Sequence, residues 1–482
     1  MCGIIAILNK KNVCIEYLIN GLKQLQNRGY DSAGICTLSD NLDVIKYASN
    51  NIDSIKALES NKYLIQDSNI GIAHTRWATH GAKTDYNSHP HLSNSKEIAV
   101  VHNGIIENYS ELKDMLIKKN YKFKSETDTE VISNLLEYNL SQTTNFLDTI
   151  KKTISMLSGT YGLALVNLKE KNKIYAVRHG SPLLIGQTED IVLITSEQSG
   201  FNGLVNNYFI LDSDDICEVI LNDNIQVNTS KKYSLKETLN LNFALDPSPF
   251  PHWTIKEINE QYDASLRAIS LGGRLLNDNE VKLGGMNDNI EILKRIDNLI
   301  FLGCGTSLNA CNYGLNHFKD LCSFNTLNVY DGAEFNIDDI PKIGNTAIIL
   351  LSQSGETIDL YRCLKIGKEN DLFIISIVNV VDSLIARESD CGCYLNAGRE
   401  VGVASTKSFL NQCILLSMLA IWFSQIHNKN NNKRKVYIEC LRKLPYDIKK
   451  TIEIGIENKK LYLDILNKNN MFILGKNQAE SI

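Results

Sequence analysis

Three of the chain's seven prolines fall within one short run, Asp246-Pro247-Ser248-Pro249-Phe250-Pro251. Fixed φ angles and missing N–H groups at that density exclude a helix or a central strand there, so the run reads as a domain boundary. The 482 residues follow different patterns on its two sides. On the amino-terminal side, strand-like runs dominate, at 3–8, 33–38, 42–47, 70–74, 97–102, 162–168, 174–177, 183–186, 191–195 and 208–211. Helical spacing interrupts them only at 15–26, 110–119, 128–140 and 145–157, the third with a capping-box start at Thr127 and Glu130. Many strands with a few grouped helices predict an α+β layered domain with antiparallel sheets over 1–240. A linker and helix follow at 241–284, the helical spacing running over 254–271. Beyond it, strand, Gly- or Ser-rich turn and helix alternate, which predicts an α/β doubly wound parallel sheet over 285–454 with ligands at the carboxyl ends of its strands. The run 471–482 (MFILGKNQAESI) resembles 299–310 (LIFLGCGTSLNA). A second, incomplete unit of the same kind is therefore expected over 455–482.

Composition excludes several classes. Net charge is −5, with 50 Lys and Arg interspersed among 55 Asp and Glu, so no nucleic-acid partner is expected. No run reaches the ~18 apolar residues of a membrane helix, so no membrane partner is expected either. Twelve cysteines include no CxxC pair, and Cys391-Gly392-Cys393 lacks the second half of a zinc site. Neither a metal nor a cofactor is expected, and the cysteine usage fits a reducing, cytoplasmic compartment.

Chemistry concentrates in a few clusters. If Met1 is removed, Cys2 becomes the terminal residue, with a thiol beside a free α-amine whose ordinary pKa of about 7.7–8.0 suits it to take a proton. Cys2 also reads as a small apolar residue opening a buried strand. Asn103-Gly104 follows an apolar run and fits either a hairpin turn or a pair of donors for a tetrahedral oxyanion. Arg76 can fork onto a carboxylate and Asp128 can hold an ammonium, the two head groups of an amino acid. Each also fits a structural ion-pair or capping role.

Met1-Cys2-Gly3-Ile4, Arg28-Gly29-Tyr30-Asp31-Ser32, Arg76-Trp77-Ala78-Thr79-His80-Gly81, His102-Asn103-Gly104 and Ser125-Glu126-Thr127-Asp128-Thr129-Glu130 occur in this order. Together they resemble the class II glutamine amidotransferases, N-terminal-nucleophile hydrolases with an αββα sandwich. The resemblance implies Cys2 as nucleophile with its α-amine as base, and Asn103 and Gly104 as the oxyanion hole. It implies Arg76 and Asp128 as clamps on glutamine, with Trp77, Thr79, His80 and His89 lining the glutamine loop and pocket.

In the second half, the turn Ser352-Gln353-Ser354-Gly355-Glu356-Thr357 offers three hydroxyls and the N–H groups of a helix start. That suits a phosphate, although ordinary N-capping would use one of the hydroxyls. The spacing resembles the sugar isomerase (SIS) domain, which binds phosphosugars. With Gly303-Cys304-Gly305-Thr306-Ser307, Val403-Ala404-Ser405-Thr406-Lys407 and the helix bearing Lys256, Glu257, Glu260 and Gln261, both halves resemble the glutamine–fructose-6-phosphate aminotransferase family. Tyr262 stands where that family has a proline. The resemblance implies that Ser352, Gln353, Ser354 and Thr357 hold the 6-phosphate, while Thr306, Ser307, Val403 and Ser405 line the sugar site. The implied substrates are glutamine and fructose 6-phosphate, the implied product glucosamine 6-phosphate, and the implied assembly a homodimer. Because the residues that open and isomerise the sugar belong to the family's second SIS unit, glutaminase activity alone is expected of this chain. The alternative expectation is a non-catalytic phosphosugar-binding regulator or a decayed gene product.

Overall fold

The computed structural model describes residues 2–50, 52–77, 81–238, 247–467, 469–470 and 474–476. They form two compact units, Met1–Leu245 and Asp246–Ile482.

The first unit is built on the strand Gly3–Asn9, buried along its whole length between antiparallel neighbours Ile70–Arg76 and Ile191–Thr195. Its alternation assigns two faces. Ile5 and Ile7 pack with Leu18 and Leu22 of the helix Ile15–Leu25 and Leu58 of the helix Ser54–Asn61. Ile4, Ala6 and Leu8 pack instead with Ala99, Val101, Ala164 and Val166 of a second sheet. That sheet turns Ile98 and Val100 to its far side, against Leu116, Ile132 and Leu135 of the helices Tyr109–Lys118 and Thr129–Leu140. An eight-stranded and a six-stranded sheet, stacked face to face, thus lie between two helix layers.

Two expectations are corrected here. The strand expected to end at residue 102 runs over Ile98–Ile106, so Asn103-Gly104 is no hairpin turn. Gly104 sits opposite Tyr161 with φ +131°, and a Cβ there would lie 2.0 Å from the Thr160 carbonyl oxygen. Only glycine fits that kinked strand position. The capping box at Thr127 and Glu130 does not form. Asp128 is the N-cap residue, and Glu130 accepts instead from the backbone N–H groups of Lys124 and Ser125.

In the second unit five parallel strands lie in the order Thr326–Asp331, Asn298–Gly303, Thr346–Ser352, Phe373–Val378, Cys391–Tyr394. Leu299, Phe301 and Ile349 face one helix layer, Ile300, Leu302, Ile348 and Leu350 the other, as a doubly wound sheet requires. The chain leaves Asn298–Gly303 toward one edge and returns at Thr346–Ser352 on its other side. That reversal opens a crevice beyond the carboxyl ends of these two strands.

The helix Lys407–Ile426 is long and apolar enough to cross a membrane by length and composition, a feature the run-length reading passed over. Here it is a core helix: Leu415, Leu419 and Trp422 are buried in the unit's interior. Its polar donors find partners inside, Asn411 Nδ2 donating to the Ala264 and Leu395 carbonyls, although Asn411 Oδ1 and Gln412 Oε1 are buried with no hydrogen-bond partner among the described residues. The helical spacing at 254–271 resolves into two helices, Trp253–Asn259 and Gln261–Ala268. Around residue 455 the chain is helical, as Asn431–Glu457 and Lys459–Leu466. The strand expected at 471–473 lies outside the described residues.

Candidate active sites

Strand ends from both sheets of the first unit meet at Cys2. The Cys2 carbonyl oxygen accepts from Asn103 Nδ2 and from Arg28 Nε, each at 2.9 Å. Arg28 in turn pairs with Glu197 at 3.1 Å, both largely buried. The backbone N–H of Trp77 donates to Cys2 Sγ at 3.3 Å. Gly3 lies opposite Thr75 in the adjoining strand, so Arg76, one residue on, is delivered beside Cys2. A Cβ on Gly3 would lie 2.7 Å from Thr75 Oγ1, so glycine here lets that strand close up. Burial pulls the pKa of the Arg76 guanidinium down, while the nearby Cys2, Asp31 and Asp128 hold it up. Asp128 Oδ2 accepts the Ile106 N–H at 2.8 Å, which ties the helix start to the strand bearing Asn103.

Behind Asn103 lies a group of buried histidines. His74 stacks on His89 with centroids 4.0 Å apart, and His89 meets His91 edge-on at 4.8 Å. The His102 N–H donates to His89 Nδ1 at 3.3 Å. Burial first, and then neighbouring positive charge, depress these rings: His74 to about 3, His89 and His91 well below the ordinary 6.5. The rings are neutral in the folded protein, whereas the unfolded chain protonates them below 6.5. Their contribution to stability is present above that pH and is lost as pH falls, by up to about 1.4 kcal/mol per pH unit for each ring. The melting midpoint is therefore expected to drop between pH 7.5 and 5.5, with protons taken up on unfolding; calorimetry in buffers of different ionisation enthalpy measures both.

In the second unit the crevice carries the turn after Thr346–Ser352. Ser352 Oγ, buried, lies 3.1 Å from Thr357 Oγ1 and 3.4 Å from Ser354 Oγ, and accepts the Gly355 N–H at 3.0 Å. Thr357 is the N-cap of the helix Ile358–Glu369 but makes no side-chain capping bond, so its hydroxyl stays with the serines. Gly355, at φ +66°, approaches Ser383 so closely that a Cβ would lie 2.0 Å from its Oγ. On the neighbouring strand's turn, Thr306 is exposed and Ser307 is buried, its Oγ accepting from Gln412 Nε2 at 2.9 Å. The segment leading into Lys407–Ile426 is pinned by carboxylates. Glu257 accepts the Val401 and Gly402 N–H groups, and Glu400 accepts from the Thr406 N–H and the Ser408 hydroxyl. The buried Lys407 pairs with the partly exposed Glu260 at 2.5 Å. Three hydroxyls and the start of a helix give this turn the means to hold a phosphate.

Comparison with known proteins matches a family to each unit. A family model described as "Glutamine amidotransferase domain" matches residues 74–203, and one described as "SIS domain" matches 292–422. A probable glutamine–fructose-6-phosphate aminotransferase (isomerizing) of Acanthamoeba polyphaga mimivirus is 39% identical, over 99% of this chain and 78% of its own length. The chain belongs to the glutamine–fructose-6-phosphate aminotransferase family. It is thus an aminotransferase, a transferase enzyme. The Haemophilus influenzae relative of the same name is 35% identical over 99% of this chain and 78% of its own. The C-terminal domain of the glucosamine-fructose-6-phosphate aminotransferase from Francisella tularensis aligns at 26% identity and TM-score 0.44, over 48% of this chain and 64% of that one. The helix–sheet–sheet–helix unit is the N-terminal-nucleophile sandwich of the glutamine amidotransferase domain, and the doubly wound unit is the SIS domain.

Within the aminotransferase, Trp77 and Asn103 hydrogen-bond to Cys2, Arg76 lies close to Cys2 and Asp128, and Gly104 follows Asn103 in its strand. Thr79 and His80 lie outside the described residues. His89 is 5% exposed and packs behind Asn103 instead of fronting the open side of the site. Gln353 contributes its carbonyl, accepting the Asn379 N–H at 3.1 Å, and Val403 is 72% exposed. Ser405 Oγ lies 2.7 Å from Ser408 Oγ. Sequence reasoning missed Arg28, Glu197 and His74. Arg28 belongs to a polar cluster visible in the sequence, but Glu197 lies 169 residues away, and no local pattern pairs them.

Proposed function

We propose that this aminotransferase hydrolyses glutamine at Cys2 and delivers the ammonia to fructose 6-phosphate, forming glucosamine 6-phosphate. After removal of Met1, the Cys2 thiol gives its proton to the α-amine and attacks the glutamine carboxamide carbon. The oxyanion forms against Asn103 Nδ2 and the Gly104 N–H. Collapse breaks the C–N bond, the α-amine's proton leaves with ammonia, and water then cleaves the thioester to release glutamate. Arg76 binds the α-carboxylate and Asp128 the α-ammonium of the substrate. In the second unit Ser352, Ser354 and Thr357, with Gln353, hold the 6-phosphate, and Thr306, Ser307, Val403 and Ser405 border the sugar. On this reading 1–240 is the glutaminase domain, 285–454 the first SIS unit, and 455–482 the opening of a second. The unpaired state of all twelve cysteines supports a reducing, cytoplasmic setting.

The observation that carries the reading is the double hold of Asn103 and Arg28 on the Cys2 carbonyl, because it fixes residue 2 itself beside an amide donor and a buried guanidinium. Incubating the purified chain with glutamine and fructose 6-phosphate, and measuring glutamate and glucosamine 6-phosphate separately, tests both halves. No glutamate above the uncatalysed rate would refute the first half; glutamate without glucosamine 6-phosphate would refute the second and leave the glutaminase activity alone that the sequence led us to expect. Ser352→Ala combined with Thr357→Ala is expected to weaken fructose 6-phosphate binding about tenfold or more, each lost charge-assisted bond being worth about 1.5–3 kcal/mol. Titration calorimetry measures that, and glutamine hydrolysis without sugar should be unaffected.

A further inference from the structure

We infer that His74 is a positioning residue for glutamine hydrolysis, holding the Asn103 amide so that Nδ2 faces Cys2. The inference rests on the reading of Cys2 as nucleophile and concerns how its oxyanion donor is aimed.

The backbone carbonyl of His102 can only accept, and His74 Nε2 lies 2.9 Å from it. The proton of the neutral imidazole is therefore on Nε2. The same nitrogen lies 3.0 Å from the Asn103 amide, so the amide atom turned toward it must be the acceptor, Oδ1. That leaves Nδ2 facing the Cys2 carbonyl oxygen at 2.9 Å, where a donor is required from the other end as well. The flipped amide would set NH₂ against N–H and oxygen against oxygen, replacing two hydrogen bonds by two repulsions in a buried site. Asn103 is 5% exposed and His74 fully buried, so water does not soften the choice.

The orientation matters because Nδ2 carries two hydrogens. One is taken by the Cys2 carbonyl, and the other has no acceptor among the described residues, which leaves it for an oxyanion. A reversed amide would present Oδ1 to the developing negative charge. The His74 ring is itself held: His89 stacks on it at 4.0 Å, and His89 is tied to the His102 N–H. His74 Nδ1 is buried with no hydrogen-bond partner among the described residues. A second proton there would be an unsatisfied buried charge near His102 and Arg76, so the Nε2–H form is retained.

Two measurements on the whole 482-residue chain test this. Nitrogen-15 NMR of histidine-labelled protein at pH 7 is expected to show His74 as the Nε2–H tautomer; an Nδ1–H tautomer would overturn the inference. In glutamate release, His74→Phe is expected to lower kcat about tenfold, the worth of one such hydrogen bond, with KM for glutamine within about twofold. His74→Gln, which restores an N–H donor at that reach, should recover most of the loss. In an Asn103→Ala background His74→Phe should cost nothing further, because its effect runs through Asn103. An equal loss in both backgrounds, or a failure of His74→Gln to recover activity at unchanged melting midpoint, would overturn the role. If His74→Phe does not fold, the NMR tautomer and His74→Gln, alone and with Asn103→Ala, decide. A wild-type chain that releases no glutamate would instead refute the glutaminase reading, from which the two failures are distinguished.

Discussion

Cys2→Ala is expected to reduce glutamate release by about 10³-fold or more, while leaving the melting midpoint nearly unchanged. The two effects separate because of how Cys2 is held. Its fold-defining bonds run to its carbonyl oxygen, from Asn103 and Arg28, and alanine keeps that carbonyl. The side chain's hydrogen bonds are both weak sulfur contacts with the Trp77 backbone, the N–H donating to Sγ at 3.3 Å and the thiol donating to the carbonyl at 3.8 Å, and it is only partly buried. Removing Sγ therefore removes the nucleophile and little else. A second variant, with an uncleavable residue added before Cys2, keeps the thiol but turns the α-amine into an amide. A loss of the same order is expected there, since an amide nitrogen cannot accept the thiol proton. Full activity in the extended chain would show that the base lies elsewhere, and full activity in Cys2→Ala would remove the nucleophile assignment. Glutamate release, with calorimetry on the same preparations, decides both.

The architecture was legible wherever burial imposes a period. Gly3–Asn9 alternates between two cores, and Asn298–Gly303 and Thr346–Ser352 read as strands running into small-residue turns, so both fold classes followed from pattern. Elements with little buried surface left no such trace. The helix Ser54–Asn61 buries only Ser54, Ile55 and Leu58, and the edge strand Ile225–Asn228 only Ile225, so neither stood out. Asn103-Gly104 shows the other limit. Its local chemistry favours a turn, and pairing with Gly162 and Tyr161, far along the chain, overrides that preference. The site was legible as types of residue, since a terminal thiol, an amide, a guanidinium and a carboxylate are what amide hydrolysis needs. Its supports were not. Glu197 behind Arg28, and His74 behind Asn103, act through tertiary contacts between strands, and neither carries a local signature. Lys407–Ile426 failed for a different reason. Its Asn411, Gln412, Ser417 and Ser424 broke the apolar run, yet each finds a partner inside the unit.

Asn103→Ala is expected to lower kcat for glutamine hydrolysis by about 10²–10³-fold, the usual cost of one oxyanion donor, with little change in KM. Glutamine's head group is assigned to Arg76 and Asp128, which the substitution leaves in place, so ground-state binding should survive while the transition state loses its amide donor. Alanine also frees the Cys2 carbonyl from one of its two donors, but Arg28 Nε remains at 2.9 Å, so residue 2 stays anchored. Asn103→Asp separates position from polarity. The carboxylate can still accept from His74 Nε2, 3.0 Å away in the native protein, but its second oxygen would face the Cys2 carbonyl and the developing oxyanion. It should therefore be less active than Asn103→Ala at pH 7, although it resembles asparagine more closely in shape. Steady-state kinetics of the two variants beside the parent chain measure the order. If Asn103→Asp retained more activity than Asn103→Ala, the amide would be serving shape alone, and the oxyanion would have to be stabilised by the Gly104 N–H without it.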